Sequence, residues 1–250
     1  MMQISSEQIK RYSGQINLKK ISLSGQKKII NSKILIIGMG GLGTPALTYL
    51  ARSGVETLAI ADSDKISISN LHRQILYEKK DVGKFKVDIA KKKIISVNSK
   101  IKIKTYKKKI TKQNIASIAK QYDIILDGTD NFKSKLEIND FCKKNKKILI
   151  LGAINRFVGQ LFVFNFSNKK LHSPCLRCFM PHAPINDNND CQADGIIGTI
   201  AGTIGTLMAN EAIKEILSFK HSLCGKILIM DLEKTIFRLI NLNKNCKNHQ

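Results

Sequence analysis

Arginine is scarce in this 250-residue sequence: Arg11, Arg52, Arg73, Arg156, Arg177 and Arg238 are all there is, against a formal net charge of +23. The positive charge is therefore mostly lysine, mixed with isoleucine and asparagine along the chain, which reads as a compositional bias. The lysine runs at 91–93 and 107–109 read as solvated faces. Aromatic residues are also few, 6%, and follow core spacing. A nucleic-acid-binding protein needs clustered arginine and stacking aromatics, so both shortages count against the class that net charge alone would raise.

Long apolar runs are missing as well. The opening "MMQISSEQIK" has no signal-peptide core. The stretch 34–51 is broken by four glycines and Pro45, and 195–210 is 16 residues long, short of the roughly 20 that span a bilayer. A soluble, cytoplasmic protein without a membrane span is expected. No internal repeat is visible. The six cysteines, Cys142, Cys175, Cys178, Cys191, Cys224 and Cys246, do not read as a disulfide framework in a cytosolic chain of this size; any cluster reads as metal or thiol chemistry. With 43% hydrophobic residues, the length suits one large domain with its own core.

What is present is a strand–helix alternation. Residues 5–17 and 24–31 read as N-terminal helices, together making a 1–31 helical segment. "KILIIG" (33–38) is a buried strand closed by glycine, "TPALTYLARSG" (44–54) a helix with Pro45 in its first turn and Gly54 at its end, and "TLAIAD" (57–62) the next strand. A helix over 83–98, a strand over 101–110, a helix near 112–121, the strand and loop "YDIILDGTD", a helix over 133–144 and a strand over 147–153 follow. Later strands are expected at 159–166 and 225–232, and a helix at about 198–217. Between them, 171–194 is a polar crossover of a length that marks functional loops. The fold class expected is α/β: a Rossmann-like three-layer fold whose mostly parallel sheet is extended by antiparallel strands, in one domain over 1–250.

Gly38, Gly40 and Gly43 fit G-x-G-x-x-G between the first strand and its helix. The first glycine permits a tight turn, the second lets a phosphate approach the backbone, and the third lets helix and strand pack closely. The helix N-terminus offers unpaired N–H groups to the phosphates. Asp62, at the end of the second strand, is placed for ribose hydroxyls. This motif alone leaves NAD and ATP both open.

The residues after the acid favour phosphate chemistry. Asn70, Arg73 and Gln74 lie within five residues of one another, and Lys86 opens the next helix. Arginine suits bidentate phosphate contact and lysine acts as a point charge. Asp127 and Asp130 sit at the C-terminal end of a strand, where open α/β sheets bind ligands. A carboxylate beside a polyphosphate points to Mg²⁺. Asp130 has a rival reading, as a turn aspartate capping the helix that follows. Together these are parts for phosphoryl or nucleotidyl transfer, which a hydride-transfer site does not require.

"GMGGLGTP", "SNLHRQIL", "GKFK", "LDGTDN", "CLRC" and "MANEAIK" occur in the order found in bacterial relatives of ubiquitin-activating enzymes. The whole chain resembles the adenylyltransferases that activate a ubiquitin-like sulfur carrier protein. "RYSGQI", "LIIGMGGLGTPA" and "NLHRQIL" look closer to the thiamine (thiazole) type than to the molybdopterin type. The resemblance implies ATP-dependent adenylation of the carrier's C-terminal Gly-Gly carboxylate, with release of pyrophosphate, by a homodimer. Carried over residue by residue, it puts Gly41 and Asp62 on the nucleotide and Asn70, Arg73 and Gln74 on the phosphates. Lys86 stabilises their growing charge and Asp130 holds Mg²⁺. Ser69, Leu71, His72 and Asn131 complete the nucleotide contacts. The same chemistry on the molybdopterin carrier, and an NAD-dependent oxidoreductase, stand as alternatives.

The chain departs from the family in two places. Relatives read R-Y-x-R-Q near the N-terminus, with the second arginine reaching across a dimer; here Gly14 stands at that position, in "RYSGQ". Relatives also pair two C-x₂-C motifs around zinc, whereas this chain offers Cys175 and Cys178 with Cys246 and His249. Cys₃His is an acceptable structural zinc set. Cys191 aligns with a cysteine that some relatives use in thiol chemistry with the carrier.

Overall fold

The computed structural model describes residues 4–168, 171, 173–182 and 195–243. The N-terminal helical segment breaks at Tyr12 into α1 (Ser6–Arg11) and α2 (Ser13–Ile16), and α3 (Ser22–Asn31) follows. The break has a packing cause. Tyr12 is buried, and its ring lies where a side chain at Gly54 would have to be; Asn98 donates to its hydroxyl at 3.2 Å.

Eight strands form one sheet: β1 (Lys33–Ile37), β2 (Thr57–Ala61), β3 (Lys102–Tyr106), β4 (Ile124–Asp127), β5 (Ile148–Asn155), β6 (Val158–Asn165), β7 (Lys226–Asp231) and β8 (Ile236–Asn241). Their spatial order is β3-β2-β1-β4-β5-β6-β7-β8. The first five are parallel, and β6, β7 and β8 add antiparallel members. The α/β fold expected from the sequence, a mostly parallel sheet with an antiparallel extension, is the one found.

The helices between the strands are α4 (Gly43–Ser53), α5 (Lys86–Val97), α6 (Ile115–Ala119), α7 (Phe132–Lys144), α8 (Leu176–Phe179) and α9 (Gly198–Ile216). They cover both sheet faces, which is why the central strands read as unbroken apolar runs. The two-residue period still sorts them. Ile34, Ile36, Leu58, Ile60 and Leu126 join the core under α4, α5 and α9. Leu35, Ile37, Ala59, Ala61 and Ile125 join the core under α6 and α7.

Several boundaries differ from the sequence reading. The strand expected over 101–110 stops at Tyr106, before the lysine run. The helix expected from 83 begins at Lys86, because Gly83 has φ +85° and Phe85 is extended. Strand β8 had no counterpart in the sequence reading. All six of its residues are exposed, so no one-sided burial pattern marks it. Of the expected 171–194 crossover, residues 172 and 183–194 lie outside the described residues. Two small residues of α9 seat against the glycine-turn helix: a side chain at Gly205 would strike the Leu42 carbonyl and Pro45, and one at Gly41 would meet Ala201, whereas Gly202 faces open space. Among the described residues, no helix is long and apolar enough to cross a membrane.

Chain direction sets the site. From β1 the chain winds outward to β2 and β3, then returns to lay β4 on the other flank of β1. The carboxyl ends of β1 and β4 are thus a topological switch point, where open α/β sheets leave a crevice.

Candidate functional site

Gly38 ends β1 with φ +87°, a conformation only glycine adopts readily. A side chain there would come within 2.7 Å of the Gly128 carbonyl, in the loop after β4. Ile37 and Asp127 are register partners, so both loops leave the sheet at one level. At Gly43 a side chain would strike the Gly38 carbonyl. At Gly40 it would meet only the Gln74 amide, at 3.6 Å. The turn is therefore closed by strand and helix at its two outer glycines and open at its centre, the shape that lets a phosphate reach the backbone.

The segment 68–77 folds over this opening. A 3₁₀ turn at Ile68–Asn70 starts it. Asn70 is buried and accepts from Arg73 Nη2 at 2.8 Å. Arg73 Nη1 lies 2.7 Å from His72 Nε2 and donates to the Ser69 carbonyl at 3.3 Å. Arg73 also borders Gly41, where an added Cβ would lie 3.6 Å from its Cγ. Gln74 is 3% exposed, and its Oε1 has no hydrogen-bond partner. A buried orphan amide beside an open glycine turn fits a polar ligand that completes it.

Asp62 lies at the end of β2. Its Oδ2 accepts from the Met39 N–H at 2.7 Å and its Oδ1 from the Asp64 N–H at 2.7 Å. Burial pushes the Asp62 carboxyl above the usual carboxylate range; Lys86 opposes the shift without cancelling it. Lys86 is 5% exposed. Its Nζ sits 2.8 Å from Asp64 Oδ2 and 3.9 Å from Asp62 Oδ2. Buried Tyr77 braces this corner: its hydroxyl donates to the Met39 carbonyl at 2.9 Å and lies 3.3 Å from the Lys86 carbonyl. Burial, with the Asp62 and Asp81 carboxylates nearby, pushes the Tyr77 phenol up, so it remains a donor.

Asp130 is exposed in the loop after β4. It does not cap α7; Asn131 does, accepting from the Ser134 N–H at 2.9 Å. An exposed carboxylate on a loop that touches the glycine turn is a fitting hard oxygen donor for Mg²⁺. Asp127 is fully buried, and its Oδ1 accepts from the Thr129 N–H at 2.9 Å and hydroxyl at 2.7 Å.

Gly38, Gly40, Gly41, Gly43, Asp62, Asn70, Arg73, Gln74 and Lys86 thus surround one opening, and the loop bearing Asp130 and Asn131 borders it. Ser69 is exposed and paired with Ser67, Leu71 packs against the core, and His72 lies within hydrogen-bond distance of Arg73. Sequence reasoning missed Asp64 and Tyr77. Asp64 was legible as a second acid in "DSD"; Tyr77 carried no signal beyond its side-chain type.

The Cys175 and Cys178 sulfurs lie 3.9 Å apart, with Cys175 buried. Two thiolates on one tetrahedral zinc are separated by about 3.8 Å, so the pair fits half a zinc site. Cys246 and His249, the other two expected ligands, and Cys191 lie outside the described residues. Among the described residues no group of three or more metal-ligating side chains occurs.

Comparison with known proteins adds to this geometry. The model of the ThiF family matches residues 12–249. A probable molybdopterin-synthase adenylyltransferase of Porphyra purpurea is 45% identical over 226 residues, covering 90% of this chain and 58% of that protein. The adenylyltransferase and sulfurtransferase MOCS3 of Culex quinquefasciatus is 38% identical over 240 residues, covering 96% of this chain and 54% of the relative. The chain thus spans a little over half the length of these two. A sulfur carrier protein adenylyltransferase of Thermus thermophilus is 34% identical over 248 residues, covering 98% of this chain and 91% of that protein. Among solved structures, E. coli MccB with MccA-N7isoASN superposes with a TM-score of 0.82 at 21% identity, over 97% of this chain and 74% of that one. At that identity the likeness speaks for the fold.

Proposed function

The chain belongs to the ThiF family, and on that premise we propose that it adenylates the C-terminal carboxylate of a ubiquitin-like sulfur carrier protein with ATP. The observation that carries the reading is Lys86, a cation buried against Asp62 and Asp64 beside the open glycine turn. A hydride-transfer site does not require it. In the proposed reaction the carrier's terminal carboxylate oxygen bonds to the α-phosphorus of ATP. The bond from that phosphorus to the bridging oxygen breaks, pyrophosphate leaves, and the carrier ends as an acyl-adenylate.

No general base is required, because the nucleophile is already an anion. The difficulty is bringing two anions together, so catalysis rests on positioning and charge stabilisation. Asp62 orients the ribose. Asn70 holds the Arg73 guanidinium toward the phosphates, with Gln74 beside it, and Lys86 meets the charge that grows as pyrophosphate departs. When bound, Mg²⁺ on Asp130 supplies charge neutralisation to the triphosphate. Zinc on Cys175 and Cys178, completed by Cys246 and His249, has a structural role in this reading.

The thiazole carrier expected from the N-terminal motifs gives way to the molybdopterin synthase carrier. Relatives at 45% and 38% identity are named for molybdopterin synthase and MOCS3, which supports the second carrier over the first. The test is to incubate the protein with Mg–ATP and each carrier in turn, then examine the carriers by mass spectrometry. The expected result is an AMP-modified Gly-Gly tail on the molybdopterin carrier and ATP–pyrophosphate exchange that depends on it. No modified tail on either carrier overturns the proposal; modification of the thiazole carrier alone restores the first assignment.

A further inference from the structure

Lys135 is an unexpected residue in its place. It lies one turn into α7, 4% exposed. A cation near a helix N-terminus opposes the helix dipole, and burying it costs desolvation that a leucine would avoid. Its Nζ donates to the Gly152 carbonyl on β5 at 2.8 Å and lies 3.7 Å from Asp127 Oδ1 at the end of β4.

Asp127 passes the constraint on. The same Oδ1 takes both the N–H and the hydroxyl of Thr129, while its Oδ2 is buried with no hydrogen-bond partner. An ion pair this incompletely satisfied adds little to stability compared with an apolar pair. It does fix geometry. Gly152 on β5, Lys135 on α7, Asp127 on β4 and Thr129 form one chain of contacts, and Thr129 is the residue before Asp130. On the other side, Gly128 presses on the glycine turn at Gly38. The Asp130 loop is therefore held from beneath by the ion pair and from the flank by the nucleotide turn.

We propose that Lys135 and Asp127 are positioning residues: their buried ion pair sets the turn that presents Asp130 to the metal–triphosphate. This rests on the reading of the site as an Mg–ATP site, and it adds residues that touch neither nucleotide nor metal.

The experiment measures ATP affinity by equilibrium dialysis with and without Mg²⁺, needing no carrier, alongside thermal melting. Lys135→Met keeps the stem and removes the charge. It is expected to weaken ATP binding about 10-fold or more in saturating Mg²⁺, the scale of losing a group that orients a metal ligand, with metal-free ATP binding unchanged. Lys135→Arg restores the magnesium-dependent affinity. Thr129→Val, which removes the hydroxyl bond to Asp127, gives a smaller loss of the same kind and decides the matter should Lys135→Met not fold. Equal affinity with Mg²⁺ in variant and wild type overturns the inference, as does an equal loss with and without metal. A wild-type protein that binds Mg–ATP yet modifies no carrier overturns the proposed function and leaves this inference to be judged by the variants. A wild-type protein that binds no Mg–ATP overturns both.

Discussion

Lys86 Nζ lies 2.8 Å from Asp64 Oδ2, a buried ammonium tied to an exposed carboxylate at the mouth of the nucleotide turn. The lysine is thereby held in position before any nucleotide arrives, which is the preorganisation that charge stabilisation needs. Lys86→Met is expected to lower ATP–pyrophosphate exchange by about 10²-fold or more. Asp64→Asn, which loosens the tether and keeps the cation, is expected to cost less. Equal losses in the two variants would make Asp64 a participant in its own right.

Arg73 and Asp130 come from different loops and act on the same triphosphate in the proposed reaction. Arg73→Ala or Asp130→Ala should each cost roughly 10²-fold or more in exchange. Near-normal exchange in both variants would remove them from the mechanism.

Gly14 stands where the family resemblance leads one to expect an arginine. An added side chain there meets nothing within 4 Å, so the substitution is tolerated sterically. Arg11 is a poor stand-in: its guanidinium donates to the Val97 carbonyl at 3.1 Å and lies 3.8 Å from Glu7. Gly14→Arg is therefore expected to raise turnover with the melting temperature little changed. Steady-state rates on the cognate carrier decide it; an unchanged rate would mean that another cation already fills the role.

The buried Asp62 carboxyl sits above its ordinary value, which gives a signed pH dependence. A carboxyl raised on folding contributes stability that is fully present below its unfolded pKa and is lost as pH rises through the folded one. Nucleotide binding runs the other way in the proposed reading, because a protonated Asp62 is a poorer acceptor for the ribose hydroxyls that it orients. ATP affinity should therefore fall on acidification at pH values above those where an exposed aspartate titrates. Glu78 has the opposite sign: Lys80 and Lys93 hold its carboxyl down at about 2. Its contribution to stability is present above the ordinary glutamate range and is lost as pH falls toward that value. Dialysis and melting measured across one acid series separate the two, and ATP affinity flat across that series would count against the role of Asp62.

Cys175 and Cys178 have the sulfur spacing of zinc ligands. The purified protein is expected to contain about one zinc per chain, and Cys178→Ser should lower both metal content and melting temperature. Metal analysis that finds no zinc removes the site.

Much of the fold could be read before the structure was known, because it follows from local chemistry. Short apolar runs such as "KILII" and "IILD", bounded by glycine and polar residues, read as strands covered on both faces, and the glycine spacing at 38, 40 and 43 fits a tight strand-to-helix turn. The residues "SNLHRQ" and "LDGTDN" suggested phosphate and metal chemistry through their side-chain types, and the structure brings both segments to the glycine turn. Strand β8 stayed hidden because all of its residues are exposed, and a strand without a buried face leaves no period.

What the sequence by itself determined was the inventory: a glycine-rich turn, six arginines among many lysines, and acids at the ends of strands. Only the tertiary structure decided how the lysines are paired. Lys86 stood out in the sequence by its place at the head of the helix after "SNLHRQIL", whereas Lys135 was indistinguishable from the lysines of solvated faces. Helix α5 carries Lys86 back to Asp62 and Asp64 beyond the end of β2, and helix α7 carries Lys135 back to Asp127 at the end of β4. Burial is a property of contacts between distant segments, and it turns an ordinary solvated charge into one that fixes geometry and meets an anion.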